Sequence, residues 1–465
     1  MLEGLEVAKH NSRESCWVII KGKVYDVTDF LDEHPGGASI ILRYGGKDAT
    51  AEYDPIHPPG TIEESLPANK YLGPVDLATI PTAENPQVVR DLAKTEKIPL
   101  SLCLSLDDLE AGASKTLSRR AWTFYHSAAD SLSSLESNRQ DWNKISFRPR
   151  ILRNVARVNM SRTIMGQKLG LPFFVAPAAR ARLAHPDGEL CIARGAARLD
   201  IGYCTSNVAS VSHEDLAHCL ATDPERKSPT SGALFFQLYV PRDKPKARDI
   251  IAKARRLGYK ALVITVDSAV IGKREEDERY QAELSYEAGD AEIPRTSADD
   301  HATVESDLPI LRGAHSSTLD WDDLAWIREC WGDSGPIVLK GIQTAEDAKL
   351  AYEAGVDGIY LSNHGGRQAD HAPSSIRTLL EIRRFCPEVL DKMEIYLDGG
   401  VRRGADIIKA LALGATAVGL GRPFLYACAY GTEGVLKAVQ SKYIFPRPFS
   451  FSPFLFSHQR DMQWS

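Results

Sequence analysis

Beyond residue 170 the chain repeats one hydrophobic pattern, in which a short apolar run is followed by an amphipathic stretch. The runs are rich in β-branched and aromatic residues and predict buried strands, whereas stretches such as DKPKARDIIAKARRLG and TAEDAKLAYEAG predict helices with one buried face. The pattern occurs eight times. The predicted strands are 172–179, 201–206, 234–240, 261–267, 336–341, 358–363, 394–400 and 417–423.

Eight strands that alternate with helices predict a closed parallel barrel of the α/β class, the (β/α)8 or TIM barrel. An open, doubly wound sheet is the alternative. Such a sheet more typically begins with a glycine-rich dinucleotide-binding turn, which we do not find in this sequence. The pattern therefore favours the barrel.

The N-terminal part follows a different pattern. Residues 15–31, SCWVIIKGKVYDVTDFL, alternate apolar and polar positions around a central glycine, which predicts a β-hairpin. The motif HPGG at 34–37 comes next, and its proline and glycines allow a sharp turn that would project His34. His57 follows in a second proline-containing turn. Two facing imidazoles would hold an iron porphyrin able only to transfer electrons, although each histidine could equally be an ordinary turn residue.

Changes in pattern also predict the domain boundaries. Residues 1–76 form the small N-terminal α+β domain, and residues 100–440 form the barrel. Residues 77–99 mix prolines, small residues and charges without apolar periodicity, as an interdomain linker does. Residues 441–465 form an atypical tail, because its prolines and crowded phenylalanines do not continue the preceding amphipathic helix.

Composition narrows the possible partners and compartment. With 43% hydrophobic and 25% charged residues the chain resembles ordinary globular proteins, and a net charge of −6 gives no reason to expect nucleic acid as a partner. No apolar run reaches the roughly 18 residues of a membrane span, and the N-terminus lacks the order of a signal peptide. The eight cysteines include no C-x-x-C pair, which disfavours a zinc site and a disulfide framework. The chain as written predicts a cytoplasmic protein.

Polar and glycine residues stand where the predicted strands end. In a barrel of this kind the active site lies at the carboxyl ends of the strands, so these side chains are candidates for it. Taken singly, each could be a strand cap or a surface residue. They are Gln237, Tyr239, Thr265, Asp267, Lys340, His364, Arg367, Asp398, Gly421 and Arg422.

These residue types have a shared chemistry. Lys340 follows an apolar strand and suits the edge of a reduced flavin, where negative charge develops. His364 is a base near neutral pH, which Asp267 can orient, and Arg367 offers a bidentate fork to a carboxylate. Glycines and arginines after the last two strands are typical of a phosphate site, which implies a mononucleotide.

Residues 5–76 resemble the cytochrome b5 family, because HPGG follows a WVII…VYDVT hairpin and a second histidine stands at the family's spacing. The resemblance implies that His34 and His57 are the axial ligands of haem b. Apolar residues after the motif are candidates for the wall of the porphyrin pocket, although core packing explains them equally well. They are Ile40, Ile41, Leu42 and Tyr44.

Residues 100–440 resemble the FMN-dependent L-2-hydroxy acid dehydrogenase and oxidase family. The shared motifs, in chain order, are APAARARLAHPDGE, FFQLYV, ITVD, GKRE, LKGI, SNHGGRQ, DGGVRRG and GLGRPFLYA. With the haem domain in front, the whole chain is similar to the flavocytochrome b2 family of lactate dehydrogenases. That resemblance implies FMN and haem b as cofactors, oxidation of a small L-2-hydroxy acid such as L-lactate, and electron transfer to cytochrome c or a similar one-electron acceptor.

The resemblance also implies residue roles. His364 would remove a substrate proton with Asp267 as its partner, and Lys340 would stabilise the anionic flavin. The implied catalytic residues are His364, Asp267, Tyr239, Arg367 and Arg274. The implied substrate pocket contains Phe124, Tyr239, Val208, His364 and Arg367. The implied FMN-binding residues are Ala176, Ser206, Gln237, Thr265, Lys340, Ser362, Gly365, Asp398, Gly400, Arg402, Gly421 and Arg422.

The family further implies a homotetramer and the mitochondrial intermembrane space, in contrast to the cytoplasmic expectation. Two other functions stay open: a 2-hydroxy acid oxidase that uses oxygen, and a haem electron carrier whose barrel is inactive. One departure from the family is Phe124, where relatives usually have a tyrosine whose hydroxyl helps to bind the substrate carboxylate. Another is the acidic stretch 272–315, which has little periodicity and predicts a solvated loop.

Overall fold

The computed structural model describes residues 2–34, 37–76, 79, 97–152, 154, 158–287 and 315–440. Most of the predicted linker, the centre of the HPGG motif and the predicted tail at 441–465 lie outside the described residues. Within the described part, no helix combines the length and the apolar composition that crossing a lipid bilayer requires.

The N-terminal domain is built on a five-stranded sheet with the order β1-β5-β4-β3-β2. Its strands are β1 Leu2–Glu3, β2 Asn11–Ser12, β3 Ser15–Ile20, β4 Lys23–Asp26 and β5 Tyr71–Asp76. Its helices are α1 Gly4–Val7, α2 Ala38–Leu42, α3 Thr50–Tyr53 and α4 Thr61–Ser65, with short 3-10 turns at Thr28–Phe30 and Ala68–Lys70.

The predicted hairpin is confirmed as the antiparallel pair β3 and β4. Alternate side chains of β3 face opposite sides, as the pleat of a strand requires. Val18 and Ile20 pack with the helices, whereas Ile19 packs with Val7 and Val75 on the other face. The hydrophobic alternation that predicted the hairpin therefore also fixes which face meets the helices.

The second domain is a closed barrel of eight parallel strands, which confirms the predicted fold. Neighbouring strands follow chain order, and the last strand pairs with the first. The barrel strands are β8 Phe173–Val175, β9 Gly202–Ser206, β10 Ala233–Leu238, β11 Leu262–Thr265, β12 Ile337–Ile342, β13 Gly358–Leu361, β14 Glu394–Leu397 and β15 Ala417–Leu420.

Helices surround this barrel. Those before the first barrel strand are α5 Leu106–Thr116, α6 Arg119–His126 and α7 Ser133–Asn143, with a 3-10 turn at Leu100–Leu102. A second 3-10 turn, Ala181–Leu183, follows that strand. The others are α8 Glu189–Leu199, α9 His213–Thr222, α10 Lys244–Arg256, α11 Glu275–Glu287, α12 Asp323–Trp331, α13 Ala345–Glu353, α14 Ser375–Phe385, α15 Val389–Lys392, α16 Gly404–Ala412, α17 Arg422–Cys428 and α18 Gly431–Gln440.

The barrel interior is a packed core rather than a pore. Phe174 points inward, whereas its neighbours Phe173 and Val175 pack against the surrounding helices. The ring of Phe174 meets those of Tyr360 and Tyr396 edge to face, at centroid distances of 5.5 and 5.7 Å. Large side chains thus fill the barrel below the ends of its strands.

A short hairpin closes the N-terminal end of the barrel. It consists of β6 Arg162–Ile164 and β7 Gln167–Leu169. The backbone N–H of Met165, in its turn, donates to the hydroxyl of the buried Tyr396 at 2.8 Å. Because the hairpin covers this end, a ligand reaches the barrel from the opposite end, where the polar side chains follow the strands.

The loop predicted for residues 272–315 is wrong in its first part, where α11 forms a helix from Glu275 to Glu287. Four acidic residues occupy its first turn, where negative charge interacts favourably with the helix dipole. Residues 288–314 lie outside the described part of the chain.

The two domains are joined by polar contacts. Glu52 of α3 forms an ion pair with Arg120 of α6. Arg43 donates from Nη1 to Oε1 of Gln281 in α11 at 3.4 Å. These contacts bring the HPGG side of the small domain against the carboxyl ends of the barrel strands.

Candidate active site and haem-binding cavity

One cavity of about 680 Å³ lies between the two domains. Its small-domain wall includes His34 and His57, and its barrel wall includes Tyr239 and His364. Every residue predicted to act in catalysis, substrate binding or metal binding lines the cavity except Asp267, which lies behind His364. The fold therefore brings together two sets of residues that are far apart in the sequence.

The two candidate haem ligands face each other. The ring centroids of His34 and His57 are 6.1 Å apart. A ligating imidazole nitrogen lies about 2 Å from a metal and its ring centre about 1 Å further, so two ligands on opposite sides of one ion have centroids roughly 6 Å apart. The observed separation fits two axial ligands.

Hydrogen bonds orient both imidazoles. Nδ1 of His34 is 3.3 Å from the carbonyl oxygen of Gly37, and Nδ1 of His57 is 3.1 Å from that of Tyr53. These contacts leave Nε2 of each ring for a metal, as an orienting partner does at a ligating histidine. Burial lowers the pKa of both rings, that of His57 to about 4, so both are neutral and able to ligate at neutral pH.

The surroundings of the pair are apolar. Ile40, Ile41 and Tyr44 line the cavity as predicted, together with Phe30. Leu42 packs with the core of the small domain. An apolar pocket with two opposed imidazoles fits a haem.

The candidate base is held by a carboxylate on one side and a phenol on the other. Nδ1 of His364 is 2.8 Å from Oδ1 of Asp267, and Nε2 is 3.1 Å from the hydroxyl of Tyr239. His364 directly follows β13 and adopts a left-handed backbone conformation, with φ of 58°. Strain of this kind concentrates at functional sites.

Burial determines the protonation state of this pair. It lowers the pKa of His364, and the positive charges of Lys340 and Arg274 act in the same direction, while Asp267 opposes them. Burial opposes ionisation of Asp267, but its interactions with His364 and Lys340 and a hydrogen bond from Ser268 outweigh burial and lower the pKa of that carboxyl to about 2. The pair is therefore a neutral imidazole beside a carboxylate, which is the form that accepts a proton.

Cations stand beside the base. Arg367 donates from Nη1 to the carbonyl oxygens of Phe124 and Ser127, at 2.9 and 2.7 Å. Its guanidinium carbon lies 5.5 Å from the centre of the Phe124 ring. Arg274 is buried with its Nε lacking a hydrogen-bond partner in the described part of the chain. Both guanidinium groups can receive an anionic ligand.

A second polar chain lies deeper in the barrel. Lys340 Nζ donates to Ser362 Oγ at 3.0 Å, and this hydroxyl donates to Oδ1 of Asp398 at 2.7 Å. Gln237 donates from Nε2 to Thr265 Oγ1 at 2.9 Å, and its buried Oε1 has no partner within the described residues. Gln237, Thr265 and Ser362 lie behind the cavity wall, whereas Lys340 and Asp398 line it, as do Ala176 and Ser206.

The ends of the last two strands supply arginines and open backbone. Arg402 pairs with Glu110 at 2.8 Å, and its buried Nη1 lacks a hydrogen-bond partner in the part of the chain that is described. Arg422 donates to the carbonyl oxygen of Gly365. A side chain at Gly421 would meet only two alanine Cβ atoms, at 3.9 Å, so the backbone there is open to a ligand. Gly400 also lines the cavity, with φ of 73°.

The donor set fits FMN. A phosphate matches the arginines and glycines of the last two strands, and the cation of Lys340 suits a flavin that becomes anionic. The buried oxygen of Gln237 behind the cavity wall has no donor among the described residues, and a bound group is one source of such a donor. The observation that favours a bound group of this kind is that two buried polar atoms, Oε1 of Gln237 and Nη1 of Arg402, lack a partner among the described residues.

The cavity residues that were not predicted as site residues include Arg180, Ser268 and His315. Arg180 and Ser268 each follow a barrel strand closely, so their positions at strand ends were an available signal. His315 stands next to the long excursion after β11, and no local pattern indicates that it returns to the site.

Comparison with known proteins decides which family this geometry represents. The model of the FMN-dependent dehydrogenase family matches residues 113–441. The chain belongs to this family. The model of the cytochrome b5-like heme/steroid-binding domain matches residues 5–76. The predicted cofactors, FMN in the barrel and haem b in the small domain, agree with both matches.

Relatives share the two-domain arrangement. The chain is 39% identical to the L-lactate dehydrogenase (cytochrome) of Wickerhamomyces anomalus over 93% of its own length and 74% of that protein. It is 36% identical to the same enzyme of Saccharomyces cerevisiae over 94% of its length and 74% of that protein. A double mutant of flavocytochrome b2 with pyruvate bound is 34% identical, with a TM-score of 0.67 over 76% of this chain and 86% of that one.

Proposed function

We propose that this protein oxidises L-lactate, or a closely related L-2-hydroxy acid, to the 2-oxo acid and delivers the electrons to haem b and then to cytochrome c. The observation that carries the proposal is the single cavity shared by the His364–Asp267 pair and the His34–His57 pair. The lactate dehydrogenase relatives and the flavocytochrome with pyruvate bound support this substrate class.

His364 is the proposed base. Its Nε2 accepts a substrate proton, and the carboxylate of Asp267 at Nδ1 stabilises the imidazolium that results. Tyr239 contacts the substrate hydroxyl from the same side, because its own hydroxyl lies 3.1 Å from Nε2. The proton is thus taken up in a buried place where the neighbouring carboxylate compensates the new charge.

Two arginines and two apolar residues define the proposed substrate pocket. Arg367 binds the substrate carboxylate, and Arg274, the residue before α11, supports that charge. Phe124 lies against Arg367 and supplies no hydroxyl to the carboxylate. Val208 lines the cavity and is small, so we expect longer 2-hydroxy acids to be accepted. Comparing turnover of lactate with that of 2-hydroxybutyrate tests this expectation.

FMN, when bound, takes up the two electrons of the alcohol, and haem b relays them one at a time. Lys340 provides a fixed positive charge beside the flavin, and its hydrogen bond to Ser362 holds that charge in place. The other residues proposed to hold FMN are Ala176, Ser206, Gln237, Thr265, Ser362, Gly365, Asp398, Gly400, Arg402, Gly421 and Arg422.

His34 and His57 are the proposed axial ligands of haem b. We propose 1–76 as the haem domain, 77–99 as the linker, 100–440 as the catalytic barrel and 441–465 as an atypical tail. A homotetramer and the mitochondrial intermembrane space complete the proposal. Light scattering of the purified protein tests the assembly, and cell fractionation tests the compartment against a cytoplasmic location.

An absorption spectrum of the full chain before and after anaerobic addition of L-lactate tests the function. We expect oxidised flavin and low-spin haem bands, bleaching of the flavin and then reduction of the haem. In a parallel aerobic reaction, peroxide formation with no haem reduction would favour an oxygen-using oxidase. A haem spectrum with no bleaching by any 2-hydroxy acid would favour an electron carrier with an inactive barrel.

A further inference from the structure

The cavity contains more positive charge than its own carboxylates neutralise. Four arginines line it without an ion pair to any carboxylate of the described residues. They are Arg180, Arg274, Arg367 and Arg422. In contrast, Arg120 pairs with Glu52 and Arg402 pairs with Glu110. Asp277 also lines the cavity and interacts electrostatically with Arg180, Arg274 and Arg367, but one carboxylate does not neutralise four cations, which indicates that the cavity receives anions.

The proposed substrate and FMN account for three of these cations. Arg367 and Arg274 flank the base and face the substrate carboxylate, whereas Arg422 lies at the open backbone of the phosphate end. Arg180 belongs to neither group. An anion that neither the substrate nor FMN supplies is therefore expected beside it.

The backbone fixes Arg180 at this place. Its carbonyl oxygen accepts from the hydroxyl of Tyr125 at 2.7 Å. The next N–H, of Ala181, donates to Glu189 at 3.0 Å. The carboxylate of Glu189 also accepts from the backbone and hydroxyl of Ser210, at 3.0 and 2.6 Å, so it is engaged with neutral donors. It does not form an ion pair with Arg180 in the described part of the chain.

Arg180 lies in the same cavity as the two proposed haem ligands. The side chains of Arg180, His34 and His57 all line this cavity, and Arg180 is near Arg120, which pairs with Glu52 of the small domain. Burial and the nearby charge of Arg120 lower the pKa of Arg180 itself to about 10, so it remains a cation at neutral pH. A permanent positive charge therefore lines the cavity that contains both imidazoles.

We infer that Arg180 is a binding residue for haem, pairing with a propionate carboxylate on the barrel side of the cavity. The inference rests on the proposed ligation of haem by His34 and His57. It adds a contact from the catalytic domain to a cofactor held by the small domain. Haem binding would then strengthen the docking of the two domains, because one carboxylate links them.

A carboxylate in this cavity has a second source, the 2-hydroxy acid or its 2-oxo product. Propionate is the assignment we make, since Arg367 and Arg274 already stand beside His364. Esterification of the haem neutralises the propionates but leaves the substrate carboxylate unchanged. If the partner of Arg180 is a propionate, loss of Arg180 changes the rate of haem release, and if the partner is the substrate, it changes the KM for lactate.

The experiment compares haem with its dimethyl ester, in which both propionates are neutral. Haem-depleted full-length protein is reconstituted with each, and the rate of release to an excess of apomyoglobin is measured. For the unmodified chain we expect ester release to be roughly tenfold faster, because a charge-assisted hydrogen bond is lost. For Arg180→Leu we expect both forms to be released at the same fast rate, and for Arg180→Lys we expect partial discrimination.

Arg139→Leu is the matched control, because it removes a cavity cation that already has carboxylate partners and that does not join the two domains. It should retain the discrimination between haem and ester. The haem midpoint potential gives an independent measurement, and it should fall in Arg180→Leu because an uncompensated propionate favours the oxidised iron.

Other outcomes overturn the inference. Equal release of haem and ester from the unmodified chain, or full discrimination in Arg180→Leu, would exclude the propionate contact. A higher KM for lactate with unchanged haem release would assign Arg180 to the substrate instead. Absence of a bis-imidazole spectrum from the reconstituted chain would refute the haem ligands themselves, a failure that is distinct from the others.

Discussion

The imidazole of His315 stacks on the phenol ring of Tyr239, with centroids 4.4 Å apart and planes 10° apart. Nδ1 of His315 lies 3.2 Å from the carbonyl oxygen of Ser268, which holds the ring in place. The ring of Tyr239 is also nearly parallel to that of His364, with centroids 6.1 Å apart. Tyr239 is therefore positioned by two imidazoles, one of which is the proposed base.

This stack predicts that His315 positions Tyr239. In His315→Ala the phenol loses a stacking partner worth about 0.5–1.5 kcal/mol, so we expect kcat/KM for lactate to fall about two- to tenfold. His315→Phe keeps an aromatic ring and should lie closer to the unmodified protein. Steady-state kinetics checks both variants. Unchanged kinetics in the alanine variant would show that the stack does not support catalysis.

The buried position of His364 predicts a pH profile. The base must be neutral, and burial lowers its pKa, so kcat/KM should be constant at neutral pH and fall only as the pH drops below about 6.5, the ordinary imidazole value. Asp267→Asn removes the carboxylate that raises this pKa. We expect its acid limb at still lower pH and its plateau roughly ten- to hundredfold lower. An acid limb of Asp267→Asn displaced toward higher pH would contradict the assignment of Asp267 as the partner of the base.

Phe124 predicts a gain of substrate affinity by a single substitution. Tyr125, the next residue, gives its hydroxyl to the carbonyl of Arg180, so it is not available to the substrate. In Phe124→Tyr a hydroxyl can donate to the substrate carboxylate, and we expect the KM for lactate to fall roughly tenfold. Phe124→Leu, which supplies no hydroxyl, should not lower it. An unchanged KM in the tyrosine variant would count against this pocket.

The Arg120–Glu52 ion pair predicts a salt-sensitive step between the domains. Glu52→Gln weakens the docking of the haem domain on the barrel, so we expect haem reduction to slow about two- to fivefold while flavin bleaching by lactate keeps its rate. Stopped-flow absorbance separates the two steps. The difference in haem reduction rate between Glu52→Gln and the unmodified chain should become smaller in high salt. Glu64→Gln, an exposed site of the same domain outside the cavity, is the matched control and should behave like the unmodified chain.

Local sequence patterns predicted much of the architecture. Each barrel strand was predicted within a few residues, because burial on both faces requires a continuous apolar run. Prediction failed at α11, whose helix has a weak apolar face and many charges. Its acidic first turn was a local signal that the expectation of a loop overlooked.

The sequence by itself determined the eight strands, the polar residues at their carboxyl ends and the two histidines of the small domain, since each depends on neighbours along the chain. Only the tertiary structure decided that His315 stacks on Tyr239, that Arg180 shares a cavity with His34, and that Glu52 pairs with Arg120. These partners come together when the barrel closes and the domains dock. Contacts between residues that are far apart in the sequence produce no periodic pattern of apolar and polar residues from which they could be predicted.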